Sequence, residues 1–440
     1  MTGLGGRRIG IVLLIFVTVV INYMDRANIA VAAPAMSKDL GMTPVQMGFV
    51  FSAFAWTYSG LQIPGGILAD IVKPRVLYPF LLLGWSLATM LQGFANTIAA
   101  LLGCRAAVGA CEAPSYSVNN KIVTEWFPVE QRASAIGVYT SGQFIGLAFM
   151  TPILFAIQYS LGWRGLFLIS GAIGIVWAGI WYLAYRDAST AAMHDREDDQ
   201  VSLAHGGSRT KKATRFCLAD QKVAFAHRKL WGIYLGQYCL GTVTIFFLTW
   251  FPTYLVEYRG ISLATSGVLA AIPFLAAFAG VLLAGFVSDG LYRRGFSSSL
   301  ARKAPVLLGM LLSASVIGAN YTDDTAAIIT FLSIGFFGNG FASIAWVFVS
   351  LIAPAGKVGL VGGVFNFAGG LSAVVTPIAI GYLVKDNHFA SALYYMGFFA
   401  VAGTLSYLFL VGEVKRIDDG VALRTVPAVA SKTSGINAPC

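Results

Sequence analysis

Residues 9–36 read IGIVLLIFVTVVINYMDRANIAVAAPAM. The run exceeds the about 20 apolar residues that carry a helix, rising about 1.5 Å per residue, across the hydrocarbon of a bilayer. It lacks the apolar–polar alternation of a barrel strand, and backbone in lipid must satisfy itself within a helix or a closed barrel. The run therefore predicts a membrane-spanning helix. An acid and a base, Asp25 and Arg26, stand side by side within it. Charge at that depth is expensive, so this helix has to face polar partners inside a bundle.

The rest of the chain repeats the pattern. Apolar stretches at 47–69, 76–98, 100–123, 133–156 and 165–185 complete a first set of six. Those at 230–256, 266–288, 304–321, 326–354, 358–384 and 389–411 make a second. Of 440 residues, 57% are hydrophobic and 11% charged, where a soluble globule carries about 25% charged residues. The expected fold is an all-α membrane protein with twelve transmembrane helices in two pseudo-symmetric six-helix bundles, residues 1–186 and 230–416. The polar stretch 187–229 reads as a cytoplasmic linker, and 417–440 as a disordered cytoplasmic tail. An internal echo supports the division. Gly66-Ile-Leu-Ala-Asp70 ends the second span and Gly285-Phe-Val-Ser-Asp289 the eighth, each followed by basic residues. Matching positions in two halves indicate duplication. Asp70 and Asp289 are candidate gate residues that could hold a helix end or a loop arginine, or could simply mark topology.

The formal net charge is +10. Arg7, Arg8, Lys73, Arg75, Arg293, Arg294, Arg302, Lys303, Lys415 and Arg416 fall on one side of the spans. Only Lys38, Arg164, Arg259 and Lys385 fall on the other. By the positive-inside rule, both termini are expected on the cytoplasmic side. Charges scattered this way argue against a nucleic-acid partner. The first span runs on without a good cleavage site, so it reads as a retained helix. Five cysteines give no disulfide framework; Cys104, Cys111 and Cys239 lie in spans, where packing is the expected role.

Four charges lie well inside spans, all in the first half: Asp25, Arg26, Arg105 and Glu112. Arg105 and Glu112 are nearly two turns apart and share a helix face. Asp25 and Arg26 point about 100° apart and cannot serve one partner alike. One reading is structural: Asp25 with Arg105, or Glu112 with Arg26, holds helices one and four together. The other is functional. Dehydrating a carboxylate favours its protonation and a nearby guanidinium opposes it, so an acid whose arginine partner comes and goes can load and release a proton. Arg26 would then attract a substrate carboxylate, Asp25 and Glu112 would couple protons, and Arg105 would tune the acids.

Several motifs carry a resemblance. They are Asn22-Tyr23-Met24-Asp25-Arg26-Ala27-Asn28, Phe51-Ser-Ala-Phe-Ala-Trp56, Arg105-x3-Gly109-x2-Glu112-Ala113-Pro114 and Trp126-Phe127-Pro128-x-Glu130-x-Arg132. The ordered set, with the repeated loop motif, resembles the anion:cation symporter family of the major facilitator superfamily, over nearly the whole chain. That family includes bacterial proton symporters for D-galactonate, hexuronates and glucarate. Tyr139-Thr-Ser-Gly-Gln143-Phe and Gly338-Asn-Gly-Phe-Ala-Ser343 look closest to the galactonate type, although Ala345 stands where that type has a hydroxyl residue. The resemblance implies proton-coupled uptake of a sugar-acid anion, by a monomer, with the four charges at its centre.

A sugar acid offers one carboxylate and several hydroxyls, so its site needs a cation and neutral hydrogen-bonding groups. Candidates within spans are Tyr23, Tyr58, Gln143, Gln237, Asn339, Ser343 and Asn366, with Trp346 as an apolar wall. Each alone is more often a helix–helix contact. Pro152, Pro252, Pro273 and Pro377 are candidate kinks. There is no Gly-x4-Gly-Lys-Ser/Thr loop and no His-Glu-x2-His, and the four histidines are scattered, so no cofactor, metal or enzymatic activity is expected. Anion exchange, sodium coupling, a channel and a membrane enzyme remain the competing readings.

Overall fold

The structure, a computed structural model, describes residues 2–187, 224–354, 357–384 and 388–417. Most of the expected linker, the expected tail from residue 418 onward and Lys385 lie outside these residues. Six helical traverses precede residue 188 and six follow residue 223. The first six are α1 (Thr2–Leu40), α2 with α3 (Pro44–Gly60 and Gln62–Ile71), α4 (Pro74–Gln92), α5 with α6 (Ile98–Glu112 and Ser115–Trp126), and α7 (Val129–Ala184), which crosses twice. The second six are α8 (Arg228–Thr249), α9 (Leu263–Arg293), α10 (Ser298–Ser313), α11 with α12 (Thr325–Ala342 and Val347–Ile352), α13 (Val358–Leu383) and α14 (Ala390–Leu405).

Local chemistry sets the ends and breaks. Thr43 starts α2 with a capping box: its hydroxyl accepts from the Gln46 N–H, and the Gln46 side chain accepts from the Thr43 N–H at 2.8 Å. The expected single span 100–123 is broken at Ala113-Pro114, because proline has no N–H to continue the ladder. The span 47–69 breaks at Leu61, 230–256 leaves α-helix after Thr249, and 326–354 tightens to a 3₁₀ turn at Ser343–Trp346. Pro152, Pro273 and Pro377 lie inside helices that continue through them. Within α7 the chain instead reverses at Gly162, whose φ of 69° is left-handed and favours glycine.

The core divides by depth. Toward the face that carries Arg7, Arg8 and Arg293, here the basic face, each half packs on itself. Ile15, Trp85 and Trp181 belong to one cluster, and Ile233, Phe348 and Tyr407 to another. Toward the opposite face, one cluster draws Met36, Phe51 and Trp163 of the first half together with Trp250, Phe251 and Phe389 of the second. The halves interlock there through small residues. A Cβ on Gly48 would come 2.5 Å from the Pro377 carbonyl oxygen, and one on Gly381 2.6 Å from that of Pro44. Phe51 meets Trp250 edge-on at 5.3 Å. The molecule is closed at the opposite face.

Each half has its own arginine clamp at that closed face. Arg164 pairs with Asp39 and donates to Asn96 at 3.0 Å. Arg259 pairs with Asp323 at 3.1 Å and donates to the Tyr254 hydroxyl at 2.8 Å. On the basic face the two echo motifs differ. Asp289 is bridged by Arg302 at 2.8 Å. Asp70 is exposed, and no side chain among the described residues pairs with it. Instead Lys121 donates to the carbonyls of Ala69, Asp70 and Val72 and fastens the end of α3.

Candidate functional site

The charged centre is assembled by a close helix crossing. A Cβ on Gly109 of α5 would collide with the Phe54 carbonyl of α2, and the Thr57 hydroxyl donates across to the Ala106 carbonyl at 2.6 Å. This approach sets Phe54 and Tyr58 beside α1. Glu112 is the last residue of α5, just before the proline break.

Arg26 donates through Nε to Glu112 Oε2 at 3.0 Å. The rings of Tyr58, Phe54 and Tyr23 lie 4.7, 4.8 and 4.9 Å from its guanidinium carbon, a cation–π cage. Glu112 is wholly buried, while the Arg26 side chain is 14% exposed. Asp25 is wholly buried too, yet its hydrogen bond is only a long one, 3.5 Å from the Asn28 amide. That same amide donates to Ser170 at 3.1 Å. Arg105 is buried, its guanidinium 5.2 Å from the Phe54 ring, with Nε and Nη1 unpartnered among the described residues. Of the two pairs read from the sequence, the structure forms Arg26–Glu112 and not Asp25–Arg105. Arg105 is nonetheless a charge neighbour of both acids.

A cavity of about 230 Å³ lies between the halves. Its first-half wall is Tyr23, Gln143, Phe144 and Leu147. Its second-half wall runs from Gln237, Leu240, Thr244 and Leu248 on α8 to Phe336, Asn339 and Gly340 on α11 and Ser343 and Trp346 in the 3₁₀ turn. The structure thus brings together Tyr23, Gln143, Gln237, Asn339, Ser343 and Trp346. The Tyr23 hydroxyl donates to Gln143 Oε1 at 3.0 Å. Arg26 and Tyr58 are not in the wall; the Tyr23 ring, which is, lies against the guanidinium. Asn366 is exposed on α13, outside that wall, and is not brought to the cavity.

Two residues change meaning once placed. Asn339 accepts from the Thr244 hydroxyl at 2.8 Å and donates to the Leu240 carbonyl at 2.9 Å, so its amide ties α11 to α8. Ala345 is 1% exposed in the second half's core, so the departure from the galactonate pattern at that position does not reach the cavity. A larger cavity, about 490 Å³, opens at the basic face beside Arg7, Trp126 and Arg186, away from the buried charges.

Sequence reasoning passed over Phe54, Asn28, Ser170 and Thr244. Asn28 was within reach, because a residue three beyond Asp25 shares its helix face. Phe54, Ser170 and Thr244 are defined by contacts between distant helices and leave no local signal. Among the described residues, no three His, Cys, Asp or Glu side chains converge on a metal-sized site.

Comparison with known proteins agrees with this architecture. Residues 15–377 match the Major Facilitator Superfamily. The D-galactonate transporter of Escherichia coli O6:H1 is 49% identical over 420 residues, 94% of this chain and 97% of that protein. The probable galactarate/D-glucarate transporter GarP of Escherichia coli K12 is 38% identical over 423 residues, 93% of this chain and 95% of its own. Among solved structures, a bacterial homolog of the human lysosomal transporter Spinster superposes with a TM-score of 0.75 at 19% identity, covering 91% of this chain and 96% of that one. The D-xylose-proton symporter gives 0.68 at 13% identity, covering 92% and 98%. With its repeated half, its buried Asp25-Arg26 and Arg105…Glu112 and these relatives, the chain is a multi-pass membrane protein that belongs to the Major Facilitator Superfamily, in its anion:cation symporter branch.

Proposed function

We propose that this protein is a proton-coupled symporter that takes up a sugar-acid anion, D-galactonate first among the candidates, across a bacterial inner membrane, and that it is a transporter and not an enzyme. The observation that carries the reading is the Arg26–Glu112 pair at 3.0 Å beside a polar cavity. An anion entering next to Arg26 adds one negative charge to the buried centre, and one proton compensates it. The anion also competes with Glu112 for the guanidinium, whose Nη2 has no partner. Glu112, losing its cation, becomes the acid that takes the proton, so cargo and proton enter together. Hexuronates and glucarate are the neighbouring candidates; the 49% relative favours galactonate.

The domains fit this cycle. Residues 1–186 and 230–416 act as two rigid halves that rock about the site, joined by 187–229, with both termini cytoplasmic. Separate cores at the basic face and a shared core opposite correspond to a site that faces the cytoplasm. Asp70 and Asp289 sit where a cytoplasmic gate would close, and a monomer contains the whole site.

Uptake of labelled D-galactonate into proteoliposomes tests the reading. An imposed inward proton gradient should drive accumulation, and a proton-conducting ionophore should collapse it. Accumulation that follows sodium, or exchange that ignores both gradients, would overturn proton symport.

A further inference from the structure

The two walls of the central cavity differ in charge. The first-half side is backed by Arg26, partly exposed within its aromatic cage. The second-half wall, facing it, holds no lysine, arginine or histidine among the described residues. Its polar groups are the Gln237 amide, the Thr244 and Ser343 hydroxyls and Asn339. Thr244 and Asn339 are already bonded to each other at 2.8 Å. The Gln237 side chain packs against Gly369 of α13, where an added Cβ would come 3.0 Å from its Nε2. Arg105 cannot serve this wall: it belongs to the first half and is 3% exposed.

From this asymmetry, and resting on the function proposed above, we infer that the site admits one carboxylate only, with Gln237 and Ser343 as the residues that reject a second. A sugar acid whose far end is a hydroxyl meets groups that accept and donate hydrogen bonds. A diacid of equal length has to place an ionised carboxylate against neutral amide and hydroxyl groups, beside Leu240 and Phe336, where no described lining residue is a cation. A charge taken from water without a partner is strongly disfavoured, and this penalty discriminates more sharply than any loss of fit. The chain therefore selects aldonates over aldarates.

The test is ligand-induced thermal stabilisation of the purified full chain at pH 7.5, titrated with a six-carbon aldonate and with the matching aldarate. The aldonate should bind at least about tenfold more tightly. Ser343→Lys should close that gap by bringing a cation to the second-half wall, whereas Ser343→Gln, uncharged, should not. Gln237→Lys offers the same readout should Ser343→Lys not fold. Equal binding of aldarate and aldonate by the native chain overturns the inference and leaves the transport reading intact. So does an equal shift in Ser343→Gln and Ser343→Lys. Stabilisation by neither acid overturns both.

Discussion

Asp25 and Arg26 are neighbours in the chain and opposites in their surroundings. Arg26 is held by Glu112 at 3.0 Å within a ring of three aromatics, whereas Asp25, wholly buried, has the Asn28 amide at 3.5 Å and no cation in contact. The two buried acids are therefore not interchangeable, and substitutions should separate them.

Glu112→Gln removes the acid that pairs with Arg26 and that we propose competes with cargo for it. Accumulation driven by a proton gradient should fall at least about tenfold, while counterflow of labelled substrate, which needs no net proton movement, should persist. Retained gradient-driven accumulation in this variant would remove Glu112 from the coupling scheme.

Stability should divide in the same way. Arg26→Ala strips a buried carboxylate of its partner and should cost about 3–5 kcal/mol. Asp25→Asn breaks no ion pair and keeps an acceptor for Asn28, so about 1 kcal/mol or less is expected. Denaturation in matched detergent checks the order, and a larger loss for Asp25→Asn would contradict it.

Arg26→Lys preserves the charge and loses the plane. An ammonium cannot stack among Tyr23, Phe54 and Tyr58 while it donates sideways to Glu112 and to the proposed substrate carboxylate. Loss of one charge-assisted bond, about 1.5–3 kcal/mol, corresponds to roughly 10–100-fold weaker substrate binding. Near-normal affinity would show that the position needs only a positive charge.

Gly48 lies against the Pro377 carbonyl where the halves close. Gly48→Leu should hold that face apart. A cysteine introduced at Met47, which is 1% exposed in the native protein, should then label readily with a polar thiol reagent. Unchanged protection would place the closing contact elsewhere.

At the basic face the lysine should matter more than the aspartate. Lys121→Met leaves three carbonyls at the end of α3 without their donor, while Asp70→Asn disturbs no side-chain pair. The lysine variant should lose about 1–3 kcal/mol and the aspartate variant almost nothing, as judged by melting temperature.

Much of the architecture was legible because lipid is a strict solvent. Every crossing needs a long apolar run, so the spans around Ile15, Trp85 and Phe348 announced themselves. The breaks were quieter: Pro114 marks one and Pro64, with no N–H for the Gly60 carbonyl, marks the one at Leu61, whereas the 3₁₀ turn at Ser343–Trp346 contains neither proline nor glycine. The charged residues were legible for the same reason, but their pairing was not. Arg26 with Glu112 and Asp25 with Arg105 satisfy the same helix-face arithmetic, and only the placement of α1 against α5 in three dimensions distinguishes them. Asn366 is exposed outside the cavity wall, although its helix packs Phe365 on Trp346 at 4.8 Å and Gly369 against Gln237.

The turn at Gly162 leaves no slack between the two crossings of α7. Its first arm carries Gln143, which grips Tyr23 at the cavity; its second carries Ser170, which reaches Asp25 through Asn28. This hairpin is thus a single piece of chain with one hand on the cavity wall and the other on a buried acid.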